Sequence, residues 1–170
     1  MMVDGDEPER IFQQAIIFYK AQAVLRNKKP DDPTEEEALT ITICLLQAFI
    51  CELLLKCLIR IEGGTPPREH DLLCLFNLLS APTRERLEVM WRDYVQTHPD
   101  PAALKQAGVT VEPELTAALE AGRMAFERIR YFHEEHHEDF VFYLGALLTM
   151  LFKVAFALRP DWSNGDRPAA

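Results

Sequence analysis

Three of the chain's five histidines and three of its arginines fall between Arg123 and His137, in a sequence that is otherwise acidic. The stretch reads Arg-Met-Ala-Phe-Glu-Arg-Ile-Arg-Tyr-Phe-His-Glu-Glu-His-His. Imidazole exchanges protons near neutral pH and guanidinium holds oxyanions, so these residue types favour chemistry here. Three arrangements fit the spacing. The first is a literal His-Glu-x-x-His made by His133, Glu134 and His137. On a helix its two histidines would lie one turn apart and bind Zn²⁺, with Glu134 as the general base of a hydrolase. Glu135 and His136 intervene where zinc helices usually carry uncharged residues, and no third ligand follows in the usual downstream pattern.

The second arrangement pairs an arginine with a histidine: Arg128 with His133, or Arg130 with His136 or His137. On one continuous helix Arg128 and His133 would point about 140° apart, and Arg130 and His137 only about 20° apart. Arg130, His133 and His137 would then share a face. Such a pair suits RNA cleavage without a metal. Imidazole moves a proton at the ribose 2′-hydroxyl or the leaving oxygen, and guanidinium holds the phosphate and its developing charge. The third arrangement is structural. Arg123, Glu127, Arg130, Glu134 and His137 recur at three- and four-residue steps, as a ladder of ion pairs on a solvated helix face would.

The elements that must position this stretch are helical. The 170 residues suffice for one domain with a core, and 48% hydrophobic content argues against disorder. A net charge of −9 argues against broad, sequence-independent nucleic-acid binding, which needs a basic face, though not against a local basic cleft. Cys44, Cys51, Cys57 and Cys74 form no Cys-x-x-Cys pair and sit in apolar runs, as core residues in a reducing compartment do. The acidic start, Met-Met-Val-Asp-Gly-Asp-Glu-Pro-Glu, lacks the basic-then-apolar order of a secretory signal, so the expectation is a cytoplasmic protein.

The apolar spacing predicts a first helix over 10–27 and a long second one over 35–62, with Thr34 as N-cap and Glu37 completing a capping box. Glu52, Lys56 and Arg60 form a charged stripe on the second helix, which argues against a membrane span. Glu52 and Lys56 read as an ion pair at the surface or half-buried. Gly63-Gly64 ends that helix, and His70 or Asp71 is positioned to cap a short one from Leu72 to Ser80. Further helices are expected over 83–97, 113–130 and about 138–158, with a long connection over 98–112 and strand character only around Val109–Val111. The last helix is apolar enough to need covering by its own chain or by a second copy. The expected architecture is an all-α, single-domain antiparallel bundle of about five to six helices over 10–158, between a flexible N-terminus over 1–9 and a flexible C-terminal tail over 159–170.

Two stretches together resemble the HEPN domain family. One is Ala48–Leu79, with Glu52-Leu-Leu-Leu-Lys56, Gly63-Gly64-Thr65-Pro66-Pro67, His70-Asp71-Leu72 and the short apolar helix after it. The other is Ala125-Phe126, Arg130-Tyr131 and Glu134 ahead of the apolar final helix. The resemblance covers roughly two-thirds of the chain. It implies a HEPN-like bundle that pairs into a homodimer, here through the final helix. In active members it implies metal-independent RNA cleavage by an arginine and a histidine, without a cofactor. Toxin or phage-defence action against RNA would follow, with an antitoxin or regulatory protein as partner and no membrane. Carried over, Arg130 pairs with His136 or His137, and Arg128 with His133 is the second choice. Tyr131, Glu134, Glu52, Lys56, His70 and Asp71 fall in binding or structural positions. Active members often place a polar residue directly after the arginine, whereas Ile129 and Tyr131 stand there in this chain. The alternative implied is a catalytically inactive HEPN-like dimerisation or binding module.

Overall fold

The structure, a computed structural model, describes residues 6–97, 112–130 and 144–164. Helix α1 spans Glu7–Arg26, α2 Pro33–Ile61, α3 Leu72–Asn77, α4 Ala81–Thr97, α5 Leu115–Ala121, α6 Ala125–Arg130 and α7 Gly145–Leu158, followed by a 3₁₀ turn over Pro160–Asn164. The fold is all-α, and no strand occurs among the described residues. The segment around Val109–Val111 lies outside them.

Caps set the helix starts. Asp6 accepts the Glu9 N–H at 2.9 Å, so α1 begins at Glu7, inside the stretch expected to be flexible. Helix α2 begins at Pro33, ahead of the Thr34 cap expected. Asp32 takes the Glu35 N–H at 2.9 Å, and Glu35 takes the Asp31 N–H at 2.7 Å. Proline is pre-organised for the first helical position, which moves the start back to it. From Gln47 to Ile59 α2 is buried at every position except Phe49 and Lys56, which are half-buried. This helix is long and apolar enough to cross a membrane by length and composition, a property shared by the core helices of folded domains. It ends at Gly63, whose φ of +83° is a left-handed conformation that suits glycine. Glu62 then reaches forward to the start of α4, accepting the Ser80 N–H at 2.7 Å and the hydroxyls of Ser80 and Thr83 at 2.7 and 2.5 Å.

Helices α1, α3, α6 and α7 all pack on α2, and α4 packs on α7 and α5. The single helix expected over 113–130 is two helices. The chain turns over Gly122–Met124, and the Arg123 carbonyl leaves the helical ladder to accept the Leu72 N–H at 2.9 Å. Helix α7 does not present an uncovered apolar face. Ala146, Leu147, Leu148, Met150, Leu151, Phe152, Val154 and Ala155 are buried within the chain. The beginning of the expected loose tail is also packed: Trp162 is buried and stacks on Phe12 with ring centroids 4.6 Å apart. All four cysteines are free thiols, and burial pushes the Cys57 thiol up to about 12.

Candidate functional site

The second half of α2 turns Glu52 into the core, where the residue is 3% exposed. An isolated carboxylate there would be costly, so both of its oxygens must find donors. Lys56, one turn on, places Nζ 2.7 Å from Oε1, and His70 places Nδ1 2.8 Å from Oε2. The expected Glu52–Lys56 pair is therefore buried on its acidic side, and it continues into a third residue. His70 belongs to the loop before α3 and does not cap that helix. Asp71 is the cap, accepting the Cys74 N–H at 3.0 Å.

Asp71 has a second partner. Arg123 reaches its Oδ2 with Nη2 at 2.6 Å and Nε at 3.1 Å, and also meets Glu120 at 3.0 Å. Burial works against ionisation of Asp71, but the Cys74 amide and the Arg123 guanidinium outweigh it and hold the carboxyl below its ordinary range. With the Leu72 N–H to Arg123 carbonyl bond, this contact fixes the turn from which α6 starts. Helix α6 then lays Phe126 against the His70 ring, centroids 5.2 Å apart, and stacks it on Phe49 of α2 at 5.2 Å. A carboxylate, an ammonium, an imidazole and an aromatic pair thus meet where α2, the loop before α3 and α6 converge.

Four of the residues singled out from the sequence (Glu52, Lys56, His70 and Asp71) lie around this meeting point. Arg128 and Arg130 belong to α6 as backbone positions, and Tyr131, His133, Glu134, His136 and His137 lie outside the described residues. The ladder reading is altered at its start, because Arg123 pairs with Asp71 and Glu120. Among the described residues no group of three or more His, Cys, Asp or Glu side chains could hold a metal ion. The sequence reading missed Arg123 as the partner of Asp71 and Phe126 as the partner of His70. The Glu52–Lys56 spacing was visible as an i, i+4 pair; nothing local announced the other two contacts. Comparison with family models, with curated proteins and with solved structures gives no match to this chain.

Proposed function

We propose that this chain is a HEPN-like helical protein acting as a metal-independent endoribonuclease of toxin or phage-defence type. Arg130 and either His136 or His137 are its reacting pair, with Arg128 and His133 as the second choice. The observation that supports this reading is the anchoring of α6. The Asp71–Arg123 contact and the Phe126–His70 packing tie the helix that carries both arginines to the buried Glu52–Lys56 pair. Metal-free cleavage of RNA needs a guanidinium held in register with proton-transferring groups, and a short helix alone would not hold one. The reading includes a cytoplasmic location, no membrane, no cofactor, a homodimer, and an antitoxin or regulatory protein as partner. The homodimer in this reading pairs through the final helix expected over 138–158; of that helix Gly145–Leu158 is described, and its apolar residues from Ala146 to Ala155 are buried within the chain.

The inactive HEPN-like dimerisation or binding module is the second reading. It is favoured by Ile129 and Tyr131, the apolar and aromatic residues that follow the two arginines. The zinc hydrolase reading through His133, Glu134 and His137 is third. The test is RNA cleavage by purified protein. Arg130→Ala combined with His136→Ala and His137→Ala is expected to abolish cleavage while circular dichroism and dimerisation stay unchanged. Wild-type protein that leaves RNA intact would sink the nuclease reading in favour of the binding module. Stoichiometric zinc, with activity lost to a chelator, would favour the hydrolase.

A further inference from the structure

The core between α1, α2 and the start of α7 holds two amides that the fold does not employ. Gln22 is 1% exposed, and its Nε2 is buried without a hydrogen-bond partner among the described residues. Gln47 is 6% exposed, and its side chain makes no hydrogen bond among them either. A buried amide left unbonded costs free energy, and leucine or methionine would fill either place without that cost. The two do not bond each other, so they are not a tie between helices.

Gln47 points at the mouth of α7. Its Nε2 lies 3.5 Å from the position a Cβ on Gly145 would take, and Arg26 Nη2 lies 3.7 Å from the same point. Beyond the adjoining residues of Gly145's own helix, those two nitrogens are the only described atoms within 4 Å of it. Cβ bonds tilt toward a helix N-terminus, so the point lies on the side to which the first N–H groups of α7 are directed. Leu144 supplies no side-chain cap, and the N–H groups of Gly145, Ala146 and Leu147 meet no backbone acceptor among the described residues. Gln22 stands one turn before Arg26 on α1, and Tyr19, three residues earlier, meets Phe152 of α7, so Gln22 is on the strip of α1 that faces α7. The Arg26 residue is exposed and has no carboxylate partner among the described residues.

We propose that Arg26, Gln47, Gln22 and the N-terminus of α7 form a binding site for a tetrahedral oxyanion, either free phosphate or the phosphoryl group of a small phosphate ester. None of these residues belongs to the Arg–His pairs, so the site does not depend on the ribonuclease reading. The guanidinium engages two oxygens side by side, and the Gln47 amide donates to a third. The N–H groups and dipole of a 14-residue helix hold the negative charge from behind. An amide turned either way round can present its NH₂, so the argument does not depend on which end of Gln22 or Gln47 faces the gap. Position 145 is glycine because a methyl group there would occupy the place of an anion oxygen. The outer side of the site, at Arg26, is open to solvent, which leaves room for the rest of an ester.

The probe is inorganic phosphate, titrated into the full ¹⁵N-labelled chain at constant ionic strength. The amide resonances of Gly145 and Ala146 are expected to move and saturate with a Kd of about 1 mM or tighter. Gly145→Ala is expected to weaken binding about tenfold or more with the thermal midpoint unchanged or raised, because its methyl sits at ordinary contact distance from Gln47 and Arg26. Arg26→Gln should weaken it about tenfold as well, while Lys153→Gln, on the exposed side of α7, should not. Gln47→Met keeps the volume and removes the amide, so binding should weaken about fivefold as the thermal midpoint rises. A nucleoside monophosphate that binds about tenfold tighter than inorganic phosphate identifies an ester as the ligand; equal or weaker binding identifies the free ion. Gly145 and Ala146 resonances that stay still up to about 20 mM phosphate overturn the proposal whatever the variants do. So does full-strength binding by folded Gly145→Ala and Arg26→Gln proteins, or a loss in Lys153→Gln as large as that in Arg26→Gln.

Discussion

Glu52 is the residue on which the local arrangement turns, because a carboxylate at that depth is tolerated only with both oxygens engaged. Glu52→Ala would leave the Lys56 ammonium and the His70 ring without their carboxylate partner. The expected loss is about 3 kcal/mol in urea unfolding, and a loss under about 1 kcal/mol would show that the pair is not a stabilising contact. Asp71 carries a pH dependence of definite sign. Its carboxyl is held below the ordinary range, so its contribution is complete above about pH 4 and fades as pH falls through the lowered value. Asp71→Ala removes the helix cap and the Arg123 contact together and should cost about 1–2 kcal/mol at neutral pH. Unfolding curves of the two proteins should converge in acid, and a gap that stays constant down to about pH 2 would contradict the assignment. The residue types at these positions were legible in the sequence. Their pairing was not, because a local pattern contains no information about a partner delivered by another helix.

At the scale of elements, most helix ends follow from residues within a turn of them. Asp6, Asp32 and Asp71 cap α1, α2 and α3, and Gly63 lets α2 stop. Gly63→Ala tests the last point cleanly. Among the described residues no neighbour lies within 4 Å of the position its Cβ would take, so the cost, about 1 kcal/mol in thermal or urea unfolding, comes from the left-handed backbone. An alanine variant as stable as wild type would mean that the turn relaxes to another conformation. The break between α5 and α6 is of a different kind. Gly122 weakens the helix locally, but the turn is completed by the Arg123 carbonyl bonding to Leu72. Apolar periodicity runs through the break, which is why the sequence reads as one helix there. The same logic explains the misplaced start of α2: Thr34 and Glu37 match a capping box, yet Asp32 with Pro33 forms a better beginning two residues earlier.

Across the whole molecule, the two ends of the described fold are joined. Arg159 pairs with Asp6 and with Asp161, each at 3.0 Å, and lies over the Trp162 ring at 4.4 Å, while Trp162 stacks on Phe12 of α1. Asp6 and Asp161 are mostly exposed, so the ion pairs add little; the buried indole is the stabilising part. Trp162→Ala should cost about 3 kcal/mol, whereas Trp162→Phe should stay within about 1 kcal/mol. The phenyl variant is mild because the indole Nε1 is buried with no hydrogen-bond partner among the described residues. Equal losses for the two variants, measured by chemical denaturation, would show that Nε1 does hold a partner.

The helical class and several helix stops were determined by the sequence alone, because periodicity, prolines and caps act over one or two turns. Only the tertiary structure decided which helix faces meet. It joined Glu52 to His70 across 18 residues, Asp71 to Arg123 across 52 and Asp6 to Arg159 across 153, and it placed α7 inside its own chain. Those pairings depend on the packing of whole faces, where each contact is stabilised by burial that the others create, and no window of sequence contains both partners.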